Sequence, residues 1–282
     1  MNDIDKNSIG VFDSGVGGLS VLRELIKALP SEKFIFIGDQ YHVPYGERSM
    51  QEVRQFSHGI VRFLRDQGSK LIVVACNTAS AAALHYLREE YPLLPIVGME
   101  PAVKPAAEYS KTRKVGVLAT PSTFQGELYA SVVERFAQDV EIFQNTCPGL
   151  VNQIEKGALN SGTTRRILES ALLPMISEGI DTVVLGCTHY PFVLPLIQEI
   201  VGEKIRVIDP APAIANRVLS ILGYKDEIQS NPNLQNLTMY TTGDPRRFAR
   251  ELPVLLNFNV NVGSLLWDQA EKYLSTGYNE LN

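Results

Sequence analysis

Two cysteines in this 282-residue chain stand in matching surroundings. Cys76 ends one apolar run and is followed by Asn77 and Thr78; Cys187 ends another and is followed by Thr188 and His189. A thiol placed where a strand ends and a helix begins meets unpaired backbone N–H groups and the positive end of the helix dipole, which favour thiolate. A free cysteine titrates at about 8.5, so a modest downward shift makes it a usable base near neutral pH. One such cysteine is as readily a small buried residue; two in equivalent places argue for chemistry. Cys147, before Pro148, lacks that setting and reads as structural.

Polar residues keep the pair company. Asp13-Ser14 closes the first apolar run, and these residues, with Asn77-Thr78 and Thr188-His189, fall at strand carboxyl ends, from which they can converge on one cleft. An acid near one thiol and a histidine near the other can assist proton movement at each. A histidine alone is more often structural, but His189 stands two residues from Cys187. The stretch Gly15-Val16-Gly17-Gly18, with Asp39 after the next run, loosely matches a dinucleotide fingerprint. It fits only with Ser20 in the place of the third glycine, so the glycines are better read as close packing and exposed N–H groups. A zinc site of Cys76, Cys147, Cys187 and His189 has no Cys-x-x-Cys pair to anchor it, and no metal is expected.

The elements that must hold these residues alternate regularly. Runs at 9–12, 34–38, 71–75, 115–119, 140–145, 182–185 and 206–209 read as buried parallel strands. Stretches at 19–29, 50–67, 79–91, 123–136, 163–177 and 192–201 carry apolar residues at helical spacing. That pattern predicts an α/β protein with doubly wound parallel sheets. Residues 71–87 (LIVVACNTASAAALHYL) and 182–197 (TVVLGCTHYPFVLPLI) share one plan of strand, cysteine, threonine and helix, and 9–25 matches 115–132 upstream. The repeat predicts two similar lobes facing each other, residues 1–99 plus 210–282 forming the first and 100–209 the second. Prolines at 92, 95, 101 and 105 mark one crossover and Asp209-Pro210-Ala211-Pro212 the return.

Bulk properties narrow the class. A net charge of -5 gives no reason to expect nucleic acid or an anionic membrane as partner. No apolar run approaches the roughly 18 residues of a membrane span, and Asp3 and Asp5 replace the basic flank of a signal peptide. A cytoplasmic enzyme with three free thiols is expected.

Four motifs in order then resemble the glutamate racemases of the aspartate/glutamate racemase family: 12–19 (FDSGVGGL), 44–46 (PYG), 75–79 (ACNTA) and 185–191 (LGCTHYP). The resemblance runs from about Ile9 to Asp244. It implies a cofactor-independent homodimeric enzyme of two pseudo-symmetric lobes, supplying D-glutamate for peptidoglycan. By the resemblance Cys76 takes the α-proton of D-glutamate, assisted by Asp13, and Cys187 that of L-glutamate, assisted by His189. Glu155, otherwise an ordinary helix-surface carboxylate, lines up with a further acid near the site. Substrate contacts implied are Ser14, Pro44, Tyr45, Gly46, Asn77, Thr78, Thr120, Thr123 and Thr188. The physical reading agrees: inversion at Cα needs a base on one face and an acid on the other, with fixed donors to stabilise the carbanion. Tyr41-His42 and Ser20 depart from the usual pattern. A sister enzyme acting on aspartate, a Cys187–His189 hydrolase and a two-lobed small-molecule binder are the alternatives; the hydrolase leaves Cys76 unexplained, and the paired thiols and the missing export signal count against the binder.

Overall fold

A computed structural model of the chain describes residues 7–224, 234–256, 258–268 and 272–276. Of the chain assigned to the first lobe, the remaining residues, from 1–6 to 277–282, lie outside the described ones.

In chain order the first half holds β1 (Ser8–Asp13), α1 (Leu19–Ala28), β2 (Lys33–Gly38), α2 (Met50–Asp66), β3 (Ser69–Val74), α3 (Asn77–Glu90), β4 (Ile96–Gly98) and α4 (Val103–Tyr109). Next come β5 (Lys114–Ala119), α5 (Pro121–Gln125), α6 (Glu127–Phe136), β6 (Glu141–Asn145), α7 (Leu150–Glu155), α8 (Gly162–Ser177), β7 (Thr182–Gly186), α9 (Leu194–Val201) and β8 (Arg206–Ile208). The chain closes with α10 (Ala211–Leu222), β9 (Leu237–Thr241), α11 (Pro245–Leu256), β10 (Val262–Asp268) and β11 (Tyr273–Thr276).

The strands form a seven-stranded sheet, β11-β10-β9-β2-β1-β3-β4, and a four-stranded sheet, β6-β5-β7-β8. Four neighbours of the larger sheet, β2-β1-β3-β4, repeat the order of the smaller one strand for strand. All ladders are parallel except the β10–β11 hairpin at one edge. The central strands β1 and β7 are buried along their whole length, which is why they read as unbroken apolar runs. A single apolar cluster runs from Ile9 and Val11 under α1 through Val218 of α10 to Leu185 and Tyr190, so the two sheets share a core. Among the described residues no helix is long and apolar enough to cross a membrane.

Two departures from the expected elements matter for the site. The helix expected over 123–136 is two helices broken at Gly126, whose backbone is extended. A Cβ there would lie 2.7 Å from that of Ala81, so glycine lets α5 approach α3, and its low helix propensity permits the break. Cys76 is the N-cap of α3, as expected, but Cys187 precedes only a short 3-10 turn, Tyr190–Val193, and not an α-helix. Pro191 and Pro195 remove N–H groups there, leaving little helix-end field at that sulfur.

Candidate active site

The carboxyl ends of β1, β3, β5 and β7 meet around a cavity of about 220 Å³. Ser14, Pro44, Tyr45, Gly46, Cys76, Asn77, Thr78, Thr120, Cys187, Thr188 and His189 all line it. The other three residues singled out from the sequence stand one layer back. Thr123 supports Thr120 through a chain of hydroxyls, Thr78 to Thr120 at 2.8 Å and Thr120 to Thr123 at 2.9 Å. Asp13 lies beneath Ser14, and Glu155 lies behind His189.

Each sulfur has its own proton partner. The Cys76 thiol faces the Ser14 hydroxyl at 3.9 Å, and that hydroxyl points to Asp13 Oδ1 at 3.5 Å. Cys187 Sγ stands 3.8 Å from His189 Nδ1, and His189 Nε2 bonds Glu155 Oε1 at 2.6 Å. Burial opposes a charged imidazole, but the bonds to Cys187 and Glu155 outweigh it and hold His189 protonated well above its ordinary range. For Glu155 burial is likewise outweighed, by the His189 bond and charge and the N–H of Val16, so its carboxyl ends below the usual value. Cys76 corrects the expectation of a helix-end thiolate. The N–H of Ala79 does reach its sulfur at 3.4 Å, yet burial and the Asp13 charge push the thiol far up. Cys76 therefore rests protonated.

Burial also lifts Asp13 from 3.8 to about 6, against the pull of His189 and of the hydrogen bonds from Gly15 and Thr188. The folded state thus binds that proton more tightly than the unfolded chain does. The resulting stability is complete below the unfolded value and lost as pH rises through the folded one, leaving a cost of about 3 kcal/mol when Asp13 is charged. Asp13→Asn is expected to exceed the parent in stability by up to about 3 kcal/mol near pH 8, with the gap closing toward about pH 4, while losing activity. Urea unfolding at the two pH values checks this; a pH-independent gap would contradict it.

The ends of the two sheets are pinned together by the same residues. Thr188 donates to Asp13 Oδ2 at 2.9 Å, Val16 N–H to Glu155 Oε1 at 2.9 Å and Ser20 to the Thr188 carbonyl at 3.0 Å. A Cβ on Gly15 would collide with Glu155, and one on Gly17 with His189 and Thr188. The glycine-rich stretch is therefore a contact surface for Glu155, Thr188 and His189. Asp39 is equally unavailable for a ribose: it is fully buried and accepts from Tyr45 OH at 2.6 Å, Thr242 at 2.7 Å and Trp267 Nε1 at 2.9 Å, with His42 Nδ1 at 2.9 Å. Tyr45 accordingly turns its hydroxyl away from the cavity.

Asn77 turns both side-chain polar atoms into buried space without a hydrogen-bond partner among the described residues. An unmet buried amide costs about 1–3 kcal/mol, so it suits a bound polar group. Among the described residues no lysine or arginine lines the cavity. A bound carboxylate would be met by neutral donors and by N–H groups at the start of α3, with protonated His189, whose ring nitrogens are engaged by Cys187 and Glu155, adding only positive potential. Sequence reasoning missed the wall from Thr146 to Asn152, which includes Cys147. Its signal was the Pro148-Gly149 turn, with Cys147 and Gly149 at φ 43° and 82°. Burial pushes the Cys147 thiol up to about 12. Among the described residues no group of three or more His, Cys, Asp or Glu side chains is placed to hold a metal ion.

Comparison with known proteins adds to this geometry. The family model described as Asp/Glu/Hydantoin racemase matches residues 9–218. A glutamate racemase of Stutzerimonas stutzeri is 47% identical over 254 residues, 90% of this chain and 96% of that one. The crystal structure of a Bacillus anthracis glutamate racemase isoform superposes with a TM-score of 0.79 at 34% identity, covering 92% of this chain and 97% of that one. That of the Francisella tularensis glutamate racemase, solved with D-glutamate, gives 0.77 at 30% identity over 92% and 96%.

Proposed function

Because the chain belongs to the Asp/Glu/hydantoin racemase family, we propose that it interconverts L- and D-glutamate by two-base proton transfer at Cα, with Cys76 and Cys187 on opposite faces. The observation that carries this reading is one cavity with a sulfur from the strand ends of each sheet, each backed by its own acid or base. From L-glutamate, Cys187 as thiolate removes the α-proton and the Cys76 thiol delivers its own to the other face. From D-glutamate the roles reverse. Ser14 can pass the Cys76 proton to and from Asp13, whose value of about 6 suits exchange near neutrality. His189, steadied by Glu155, serves Cys187 in the same way.

The weakly acidic α-proton is the difficulty. Asn77 and Thr78 offer neutral donors in a largely buried cavity, where they stabilise developing carboxylate charge more than water does. The substrate name comes from the relatives, not from a residue that measures chain length. With this reading we propose D-glutamate supply for peptidoglycan, a cytoplasmic location and a homodimer. Residues 1–99 with 210–282, and 100–209, are the proposed lobes.

A Cys187–His189–Glu155 chain also resembles the triad of a thiol hydrolase. Incubation in heavy water separates the readings. With either enantiomer of glutamate and no added cofactor, optical rotation is expected to decay toward zero as product gains α-deuterium, and aspartate to react far more slowly. Ester or amide cleavage without α-deuteration would establish the hydrolase instead.

A further inference from the structure

Glu155 is the last residue of α7, and its side chain reaches across the lobes. Besides His189 and Val16 it meets two groups that touch no part of the cavity. Gln40 Nε2 donates to Glu155 Oε2 at 3.4 Å, and Arg247 Nη2 donates to the Glu155 backbone carbonyl at 2.9 Å. Both are themselves held. Thr241, fully buried at the end of β9, donates to Gln40 Oε1 at 3.0 Å. Asp244 accepts from Arg247 N at 3.2 Å, and Glu251 takes the guanidinium Nε at 3.2 Å. A cation on the last carbonyls of a helix is favourable through both its hydrogen bonds and the helix dipole. Thr241, Asp244 and Arg247 all lie beyond residue 218, outside the stretch that the family model matches.

We propose that Arg247 and Gln40 are positioning residues that hold Glu155 against His189, and so serve proton transfer at Cys187 without serving Cys76. The asymmetry follows from connectivity. The Cys76 side runs through Ser14 to Asp13, and neither residue bonds Arg247 or Gln40. Loosening Glu155 leaves that path in place. It removes the carboxylate that keeps His189 oriented and protonated.

This inference rests on the two-base reading, and the test is arranged to separate the two. Racemisation cannot resolve the faces, because both directions cross the same barriers. A glutamate analogue carrying chloride at Cβ can: the α-proton goes to a cysteine, the Cα–H electron pair forms the Cα–Cβ double bond, and chloride leaves with the Cβ–Cl pair. Arg247→Met and, separately, Gln40→Met are each expected to slow chloride release from the L-analogue roughly 10-fold, the scale of lost outer supports in other sites. Release from the D-analogue should stay within about twofold, since the hydrogen bonds through Ser14 and Asp13 are untouched and the charges of His189 and Glu155 act on Asp13 in opposite directions. The alkaline limb of the L-profile should move to lower pH, as His189 loses its support, and Arg247→Lys should restore most of the L-rate. Equal slowing of both enantiomers, or an unmoved L-profile, would overturn the proposal even where Cys76→Ser and Cys187→Ser still divide the enantiomers between them. If those cysteine variants do not divide them, the two-base reading fails first.

Discussion

Gly17→Ala is expected to cost at least about 100-fold in kcat/KM while leaving the protein folded, because a misplacement of about 1 Å at reacting groups is enough for that loss. The added methyl would lie 2.6 Å from Thr188 Oγ1 and 2.7 Å from His189 Cε1, distances that side-chain carbons do not tolerate. Neither neighbour can turn aside cheaply. Thr188 is bonded to Asp13 at 2.9 Å, and His189 is held between Cys187 and Glu155. The two segments must therefore shift apart locally, which pulls His189 and Thr188 from the cavity and stretches the Val16–Glu155 bond. The fold should survive, since the displacement is local and Gly17, Thr188 and His189 are not themselves members of the apolar core that the two sheets share. Gly162→Ala is the control: a Cβ there meets nothing within 4 Å. Steady-state kinetics with circular dichroism decide the matter, and near-parental activity in Gly17→Ala would show that the closed arrangement is not the working one.

The glycines were plain in the sequence, but the collision was not. Their pattern marked close approach without showing what approached, since the partners come from residues 155, 188 and 189. The same limit applies elsewhere. The buried parallel strands were legible because both faces are apolar, and the shared plan around the two cysteines anticipated the repeated strand order. By contrast β9 alternates buried and exposed positions, and β10 is mostly half-buried. Those segments carry no unbroken apolar run, so three strands of the larger sheet went unread. Strand β4, three residues set among the prolines that marked the crossover, went unread as well.

Electrostatics was less legible still. The local rule for a thiol at a helix start predicts thiolate, and for Cys76 the N–H contact is present. Burial and the Asp13 charge overrule it, and neither can be counted from spacing along the chain. The departures at Tyr41-His42 and Ser20 gain physical roles only in three dimensions. His42 stacks on Phe56 with ring centres 3.7 Å apart while its Nδ1 meets Asp39, so it braces the loop that carries Pro44, Tyr45 and Gly46. Ser20 reaches across to the Thr188 carbonyl.

In the two-base reading each sulfur serves one hand of the substrate. Replacing either cysteine with serine is expected to lower racemisation by about 1,000-fold or more, since an acid–base group contributes roughly 10²–10⁴ and hydroxyl is a poor substitute for thiolate. The surviving thiol can still deprotonate its own enantiomer. The decisive measurement is chloride release from the D- and L-forms of the Cβ-chloro analogue by Cys187→Ser and Cys76→Ser. Cys187→Ser is expected to eliminate from the D-form and not the L-form, and Cys76→Ser the reverse. Equal elimination from both forms by either variant, or loss of both with a single cysteine, would contradict the assignment.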